Sequence, residues 1–378
     1  IKIKENSFFY KRRFNTLAEK YAKSQVTHNL IAIAPRFCLE IVTYLFIFLF
    51  IIFFILKYEN FSQMVLLTGI YAFSLQKIIP AAQGIYSQYT HYKYYKPTFE
   101  KIYSDLLLSK EKFENGEADL SSIKRLSFNK KIELKDLSFR YSNTKKDIFS
   151  SENITISSGE FVGIAGKSGS GKTTLIDILT GLLRPTKGFL IVDGKKIDNS
   201  NEKNWKRNIG YVSQSTFFAD DTVINNIALG VNKEKIDFEN IIRVSKIAQI
   251  SDFVEKLPNK YETIIGEDGN LLSQGQKQRI NIARALYSDP QIIILDEATN
   301  SLDSETENQV MESIFNNQKG KTIIMISHKL ITLQNCDKII YLEDNTIKHQ
   351  GKFDKIFNQS PFFKKMVEES LKYNKQRL

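Results

Sequence analysis

The stretch GIAGKSGSGKTTLIDIL, residues 163–179, contains the pattern that decides the fold of the larger part of this chain. Residues 166–173 satisfy G-x-x-x-x-G-K-[ST], a glycine-rich loop whose backbone N–H groups cradle phosphates. The apolar run FVGIA leads into the loop and is typical of a strand, while Leu175, Ile178 and Leu182 follow it at helical spacing. The stretch therefore predicts a strand, a phosphate-binding loop and a helix, in that order.

The residue types in this loop fit the chemistry of a bound nucleotide. Glycines let the backbone wrap around phosphates, Lys172 is expected to reach the β- and γ-phosphates, and the Thr173 hydroxyl is placed to hold Mg²⁺. The residues of the loop that are predicted to contact ATP are Gly166, Ser168, Gly169, Ser170, Gly171, Lys172, Thr173 and Thr174.

A second motif, IIILDEAT at residues 292–299, is an apolar strand that ends in two acids. We expect Asp296 to anchor Mg²⁺ and Glu297 to polarise the attacking water. Acids are also common at helix N-termini, where they interact favourably with the helix dipole. We favour the catalytic interpretation because the strand stands where a phosphate-loop domain needs its metal-binding carboxylate.

The sequence around these motifs alternates between strand-like and helical stretches. Apolar runs such as FLIVDG, NIGYVSQ, TIIMISH and KIIYLED are separated by helical patterns over residues 131–358. This alternation predicts an α/β domain with a largely parallel sheet. Within it, LLSQGQKQRI at residues 271–280 predicts a second helix start that should attract an anion.

That second helix start resembles the signature motif of the ATP-binding cassette (ABC) family, and further matches follow the family's order. The resemblance implies that Tyr141 stacks on adenine, Gln214 contacts Mg²⁺, and His328 touches the γ-phosphate. It also places Asp303, in NSLD, in a loop that crosses a dimer. The fold it implies is an α-helical transmembrane segment followed by an α/β P-loop NTPase domain of the ABC type, with antiparallel β and helical subdomains.

In this family two cassettes pair head to tail, so the resemblance implies a dimer with a second copy or a homologous half-transporter. Ser273, Gly275 and Gln276 would then contact ATP that the partner's loop holds. Two departures are minor: Gln274 stands where glycine is commoner, and Lys167 replaces a small residue or proline. The Lys167 side chain should point away from the phosphates, and we expect an active ATPase with Lys172, Glu297 and His328 as its catalytic residues.

The N-terminal part of the chain is apolar and is predicted to cross a membrane. Residues 37–56 are interrupted only by Glu40 and have about the length needed to span a bilayer. Residues 61–79 form a more polar second segment, as expected of a helix that packs against other spans. Basic residues at the outer ends of both segments predict that these ends lie in the cytoplasm.

The loop TIIGEDG, residues 263–269, resembles one that contacts the membrane domain in exporter-type cassettes. Together with the apolar hairpin it points to a type IV exporter half-transporter, of which these would be the fifth and sixth membrane helices. We expect the N-terminal part to be missing, through an incomplete sequence or a truncated gene. The predicted divisions are a membrane part at 1–106, a linker at 107–130, a nucleotide-binding domain at 131–358 and a helical tail at 359–378.

The cargo is predicted less directly. AIAPRFCLE, residues 32–40, is similar to bacterial flippases for lipid-linked oligosaccharides and polysaccharide exporters. That resemblance implies an amphipathic glycolipid and the inner membrane of a bacterium, with a drug, peptide or lipid exporter as the alternative. A soluble ABC ATPase acting on nucleic acid fits the net charge of +11 but not the apolar hairpin. The two cysteines, Cys38 and Cys336, suggest neither a disulfide framework nor a zinc site.

Overall fold

The computed structural model describes residues 7–57, 61–113, 124–142, 144, 147–215, 217–327 and 329–375. The chain divides into two compact units, Ile1–Ala118 and Asp119–Leu378. The first unit is a pair of helices, and the second contains two sheets with the remaining helices.

The first unit consists of helix α1, Ser7–Lys57, packed along helix α2, Phe61–Phe113. The Phe50 ring meets the Tyr71 ring edge to face at 5.7 Å between centroids. Many other apolar side chains of the two helices are exposed; Leu56, for example, is 82% exposed. Both helices are long and apolar enough to cross a membrane, with mean hydropathies of 2.8 and 1.4 in their most apolar windows.

These helices are much longer than the predicted segments at 37–56 and 61–79. They have 51 and 53 residues, and Pro35, Pro80 and Pro97 lie inside them. Hydropathy detects only the apolar part of a helix, whereas the polar flanks here continue the helix without a break. The linker predicted at 107–130 therefore begins inside α2.

The second unit is built on a six-stranded sheet and a four-stranded sheet. The strand order is β10-β9-β3-β8-β7-β6 in the first and β2-β1-β4-β5 in the second. The strands are β1 Lys131–Phe139, β2 Phe149–Ser157, β3 Phe161–Gly166, β4 Lys187–Val192, β5 Lys195–Lys196, β6 Ile209–Val212, β7 Ile292–Asp296, β8 Thr322–Ile326, β9 Lys338–Glu343 and β10 Thr346–Gly351. The helices are α3 Lys172–Leu179, α4 Glu202–Lys206, α5 Val223–Ile227, α6 Phe238–Ile247, α7 Ser251–Val254, α8 Gln274–Tyr287, α9 Ser304–Asn317, α10 Phe353–Gln359 and α11 Pro361–Lys375.

The six-stranded sheet brings the predicted motifs to one edge. Strands β9, β3, β8, β7 and β6 are parallel, and only β10 runs antiparallel at the end of the sheet. Every residue of β7 and β8 is buried, as expected for parallel strands covered on both faces. Because β3 and β7 are parallel, the phosphate loop after β3 and the acids at the end of β7 lie at the same edge.

Two apolar clusters hold this unit together. One lies between the two sheets and around α3, and includes Trp205 and Phe149. The other lies among α5, α6, α8 and the opposite face of the large sheet. Helix α8 packs so closely on β6 that a Cβ added at Gly210 would stand 2.4 Å from the Ala285 carbonyl oxygen. Leu126 and Phe128, which the sequence assigned to the linker, are buried in the first of these clusters.

Candidate nucleotide-binding and catalytic site

The loop between β3 and α3 has a backbone that only glycine tolerates at several positions. Gly169 and Gly171 have φ angles of +79° and +95°, in the left-handed region. At Gly166 a Cβ would stand 2.4 Å from the Leu342 carbonyl oxygen and 2.6 Å from Ser170 Oγ. The loop thus closes tightly between β9 and the start of α3, as the glycine spacing predicts.

Two polar groups inside the loop fit a bound phosphate. Lys172 is 8% exposed, and its Nζ donates to the carbonyl oxygens of Gly166 and Lys167 at 2.9 and 2.8 Å. Ser170 Oγ is buried and has no hydrogen-bond partner among the described residues. A buried hydroxyl without a partner is costly, and a phosphate oxygen would accept from both Ser170 and Lys172.

The Lys172 ammonium lies in the field of the two acids at the end of β7, Asp296 and Glu297. Burial lowers the pKa of Lys172 below its ordinary value, and the charges of Glu297 and Asp296 act in the opposite direction. The structure therefore brings together the phosphate-loop lysine and the acid pair, which are more than a hundred residues apart in the sequence. At the end of a parallel sheet, a cation can bind the phosphates of a nucleotide while nearby carboxylates bind its metal ion or a water.

Asp296 is 4% exposed and accepts a hydrogen bond of 3.2 Å from the Tyr211 hydroxyl. Burial raises the pKa of Asp296, the nearby charges of Glu297 and Asp177 raise it further, and the Tyr211 hydroxyl opposes the shift. A carboxylate in such surroundings is stabilised by a cation. Among the described residues there is no cluster of three or more His, Cys, Asp or Glu that could hold a metal alone. The buried carboxylate of Asp296, at the end of β7, is the kind of ligand that Mg²⁺ uses together with substrate phosphates.

Glu297 is held by two amides. Its Oε2 accepts from Gln214 Nε2 at 2.9 Å and from Asn300 Nδ2 at 2.8 Å. Its backbone is in the left-handed region with φ of +53°, and its N–H donates to the Ile326 carbonyl at 3.1 Å. This anchored backbone turns the chain sharply after β7 and places Glu297 beside Gln214, so two residues predicted from separate motifs meet at one point.

The remaining nucleotide-side predictions lie around α3. Tyr141 is 40% exposed, its hydroxyl lies 3.1 Å from Thr174 Oγ1, and its ring meets Phe139 edge to face at 5.0 Å. Tyr141 is therefore partly exposed and lies beside Thr174 in the first turn of α3. Thr173 and Ser168 are exposed on the loop and the first turn of α3. His328 lies outside the described residues.

Helix α8 begins with a complete capping box. Ser273 Oγ accepts from the Gln276 backbone N–H at 3.3 Å, and the Ser273 N–H donates to Gln276 Oε1 at 2.8 Å. In the part of the chain that the structure describes, neither side chain bonds to the phosphate loop. The structure thus does not join Ser273, Gly275 and Gln276 to the phosphate loop within one copy of the chain.

The start of α8 is packed against the loop before α9. A Cβ at Gly275 would lie 3.3 Å from Leu302 Cδ2 and 3.4 Å from the Ser301 carbonyl oxygen. The Ser301 N–H also donates to Gln278 Oε1 at 3.1 Å. These contacts form a single surface from the signature turn and the NSLD loop.

Asp303 ends the NSLD loop and caps α9. It accepts from the Thr306 backbone N–H at 2.9 Å and from the Thr306 hydroxyl at 2.8 Å. These hydrogen bonds hold the pKa of Asp303 below its ordinary value. Asp303 is therefore an ionised, exposed group beside the signature turn.

Three residues of the site were not predicted from sequence. Tyr211 bonds to Asp296, Asn300 bonds to Glu297, and Gln278 Nε2 lies 3.5 Å from the Glu297 carbonyl oxygen. Asn300 belongs to the NSLD motif and was within reach of motif reasoning. Tyr211 was not, because its role depends on β6 lying next to β7, which the sequence does not reveal.

Comparison with known proteins agrees with this geometry. Residues 149–300 match the family model described as ABC transporter. The chain is 38% identical over 229 residues to an ATP-dependent lipid A-core flippase of Cupriavidus metallidurans, covering 60% of this chain and 39% of the relative. It is 37% identical over 256 residues to the alpha-hemolysin translocation ATP-binding protein HlyB of Escherichia coli, covering 68% of this chain and 35% of the relative.

The fold has a close counterpart among solved structures. A bacterial Atm1-family ABC exporter with ATP bound superposes with a TM-score of 0.80 at 23% identity, over 97% of this chain and 64% of that one. The chain spans about two fifths of the length of the flippase relative. Residues 149–300 are thus identified as part of an ATP-binding domain of the ABC transporter family, and they lie within the unit Asp119–Leu378.

Proposed function

We propose that this chain binds and hydrolyses ATP to drive the movement of an amphipathic substrate across a membrane, as half of a dimer. The observation that carries the proposal is the loop containing Ser170 and Lys172, which faces the acid pair at the end of β7. The same chain carries two helices long and apolar enough to span a bilayer. The relatives' names, a flippase and a translocation protein, support the same class of function.

The residues divide the work of hydrolysis among them. Lys172 leaves its two carbonyl partners and donates to the phosphates, while Glu297 accepts hydrogen bonds from Gln214 and Asn300 and polarises a water. The water oxygen bonds to the γ-phosphorus as the bond to the β–γ bridging oxygen breaks. Mg²⁺, held by Thr173, Gln214 and Asp296, would neutralise charge on the phosphates. His328 is proposed to contact the γ-phosphate.

The signature turn is proposed to act on the partner's ATP. Ser273, Gly275 and Gln276 do not join the phosphate loop of their own chain, yet they begin a helix whose N–H groups favour an anion. A second copy, or a homologous half-transporter, placed head to tail brings this turn to the γ-phosphate. The exposed, ionised Asp303 then lies in the contact between the two copies.

The membrane location is proposed from the first unit, and the cargo is proposed from the relatives. Its exposed apolar surface is far larger than a water-facing surface ordinarily carries. We place α1 and α2 in a cytoplasmic membrane, with the ATP-binding domain in the cytoplasm, as in a bacterial exporter. The cargo class we favour is a lipid-linked oligosaccharide or another glycolipid, in line with the flippase relatives.

Two measurements test the proposal. Membranes containing the expressed chain are washed with high salt and then with detergent; release by salt alone would rule out membrane insertion. The purified chain is then assayed for ATP hydrolysis in lipid vesicles, with Glu297→Gln as the inactive control. Stimulation by polyprenyl-pyrophosphate glycans supports the glycolipid cargo, and stimulation by peptides or drugs instead contradicts it.

A further inference from the structure

The phosphate loop contacts the C-terminal helix through one side chain. The Nζ of Lys167, the residue directly after Gly166, lies over the Phe362 ring at 3.9 Å from its centroid. A lysine ammonium at this distance from an aromatic face makes a favourable cation–π contact. Lys167 is the departure from the usual loop pattern, and the structure gives it a partner on α11, away from the interior of the loop.

Phe362 stands on a rigid support. The neighbouring Phe363 is fully buried and meets the rings of Tyr341 and Phe353 edge to face at 5.3 and 5.5 Å. The Ser360 hydroxyl accepts from the Phe363 N–H at 3.2 Å and so fixes the first turn of α11. The turn that carries Phe362 is therefore held by the packing of Phe363 onto β9 and α10, and the Phe362 side chain is itself partly buried against the same apolar cluster.

The backbone of Lys167 is connected directly to the phosphate-binding groups. Its carbonyl oxygen accepts from Lys172 Nζ at 2.8 Å and from the Ser170 N–H at 3.2 Å. A shift of the Lys167 peptide thus displaces the loop lysine and the turn that contains Ser170. Because its side chain is fixed on α11, the position of this peptide depends on the C-terminal helix.

We infer that Phe362 is a positioning residue for nucleotide binding: its contact with Lys167 holds the phosphate loop in the conformation that receives the phosphates. The inference rests on the proposed function, since it assumes that this loop binds a nucleotide. Loss of the aromatic face frees the Lys167 side chain and adds disorder that binding must remove. The expected result is weaker nucleotide binding without a change in the residues that contact the phosphates.

The test is a mutant cycle on the full chain with ADP as the probe, because ADP is not hydrolysed. Phe362→Leu keeps apolar volume but removes the aromatic face, and we expect calorimetry to give about a threefold higher Kd for ADP. Phe362→Tyr keeps the face and should bind as the unmodified chain does. In a Lys167→Arg background, Phe362→Leu should still weaken ADP binding, because a guanidinium also stacks on aromatic rings.

The decisive comparison is the double variant. In a Lys167→Met background, Phe362→Leu should add nothing further to the loss, because the contact is already absent. Additive losses, or equal binding by Phe362→Leu and the unmodified chain, would overturn the inference. Lys364→Met is the matched control: Lys364 lies over Phe357 at 5.6 Å on the same helix pair, away from the loop, and its loss should leave ADP binding unchanged.

Thermal unfolding of each variant separates positioning from folding. Phe362→Leu is expected to unfold at nearly the same temperature as the unmodified chain while its Kd for ADP rises. A purely structural role would instead lower the unfolding temperature together with the affinity. If the unmodified chain itself fails to bind ADP, the proposed function is wrong. If it binds and the cycle shows no coupling, only the role of Phe362 is wrong.

Discussion

Helices α3 and α8 both begin next to serine and glycine residues, and the polar groups at the two helix starts are satisfied in opposite ways. At α3 the cap residue Gly171 is left-handed and makes no side-chain cap, and Ser170 Oγ is buried without a partner among the described residues. At α8 the capping box between Ser273 and Gln276 is complete. The start of α3 thus leaves a buried hydroxyl without a partner among the described residues, whereas the start of α8 supplies side-chain acceptors for two of its own backbone N–H groups.

This difference predicts two stages: a nucleotide first binds to the phosphate loop, and the signature turn of a second copy then contacts the bound ATP. The phosphate loop has a buried cation and a hydroxyl that bonds to none of the described residues, so a nucleotide improves its hydrogen bonding as soon as it arrives. At the signature turn the capping box uses Ser273 Oγ and Gln276 Oε1 as acceptors, so the Ser273 hydroxyl, the Gln276 side-chain NH₂ and the remaining backbone N–H groups can donate to an anion. Ser273 is exposed rather than buried, so an anion gains less there, and we expect that turn to engage only when a second copy brings bound ATP to it.

The largest predicted effect tests the division directly. Glu297→Gln should leave ATP binding intact and slow hydrolysis by roughly 10² to 10⁴, the usual contribution of a general base. The carbonyl oxygen of the introduced amide can still accept from the Gln214 and Asn300 amides, so the fold of the site should be kept. Phosphate release measures the rate, and size-exclusion chromatography with ATP should show a trapped dimer.

The control for that experiment is Glu305→Gln, an exposed acid in the first turn of α9. It should hydrolyse ATP at the normal rate and form no trapped dimer. A Glu297→Gln chain that binds ATP but remains a monomer would contradict the assignment of the signature turn to a partner's ATP.

Lys172→Ala acts on the first stage alone. Removal of a buried cation that contacts phosphate should weaken ATP binding by roughly 30-fold or more. The measurement is calorimetry with ATP on the nucleotide-free chain. Lys195→Ala, an exposed lysine on β5, is the matched control and should bind normally. Equal affinities of the two variants would show that the loop is not the ATP site.

Gly275→Asp acts on the second stage alone. It adds a carboxylate where the partner's γ-phosphate is expected, and juxtaposed like charges should weaken the ATP-dependent dimer at least roughly tenfold. Binding of ADP to the phosphate loop should be unchanged. Gly275→Ala adds the same Cβ at 3.3 Å from Leu302 without a charge, and its dimer should persist. If both variants lose the dimer equally, packing against Leu302 explains the loss and electrostatics do not.

The same pair of helix starts shows what the sequence could predict. The glycine spacing and the strand before it were sufficient for the phosphate loop, and its backbone has the left-handed conformations that this spacing requires. The capping box at α8 follows from Ser273 and Gln276 three residues apart, a signature visible in the sequence. Local patterns of this kind are predictable because they depend on neighbours along the chain.

Other features depend on contacts between distant segments. The bond from Tyr211 to Asp296 requires β6 to pair with β7, and the contact of Lys167 with Phe362 requires α11 to return to β9. The full lengths of α1 and α2 were not predicted, for a different reason. Hydropathy marks where a helix is apolar, but a helix ends only where its backbone bonding ends.

The smallest predicted effect compares the two serines themselves. Ser273→Ala removes the cap of α8 and should lower the free energy of unfolding by about 1 kcal/mol in the nucleotide-free chain. Ser170→Ala removes a buried hydroxyl that has no partner among the described residues, so stability should stay the same or rise slightly. With ADP present the order reverses, because Ser170→Ala loses a phosphate contact and Ser273→Ala loses none.

Urea unfolding can be followed by Trp205, the single tryptophan of the chain, which is buried in the second unit and donates to the Leu179 carbonyl at the end of α3. Equal destabilisation by both variants without nucleotide would mean that the two helix starts do not differ as the structure shows.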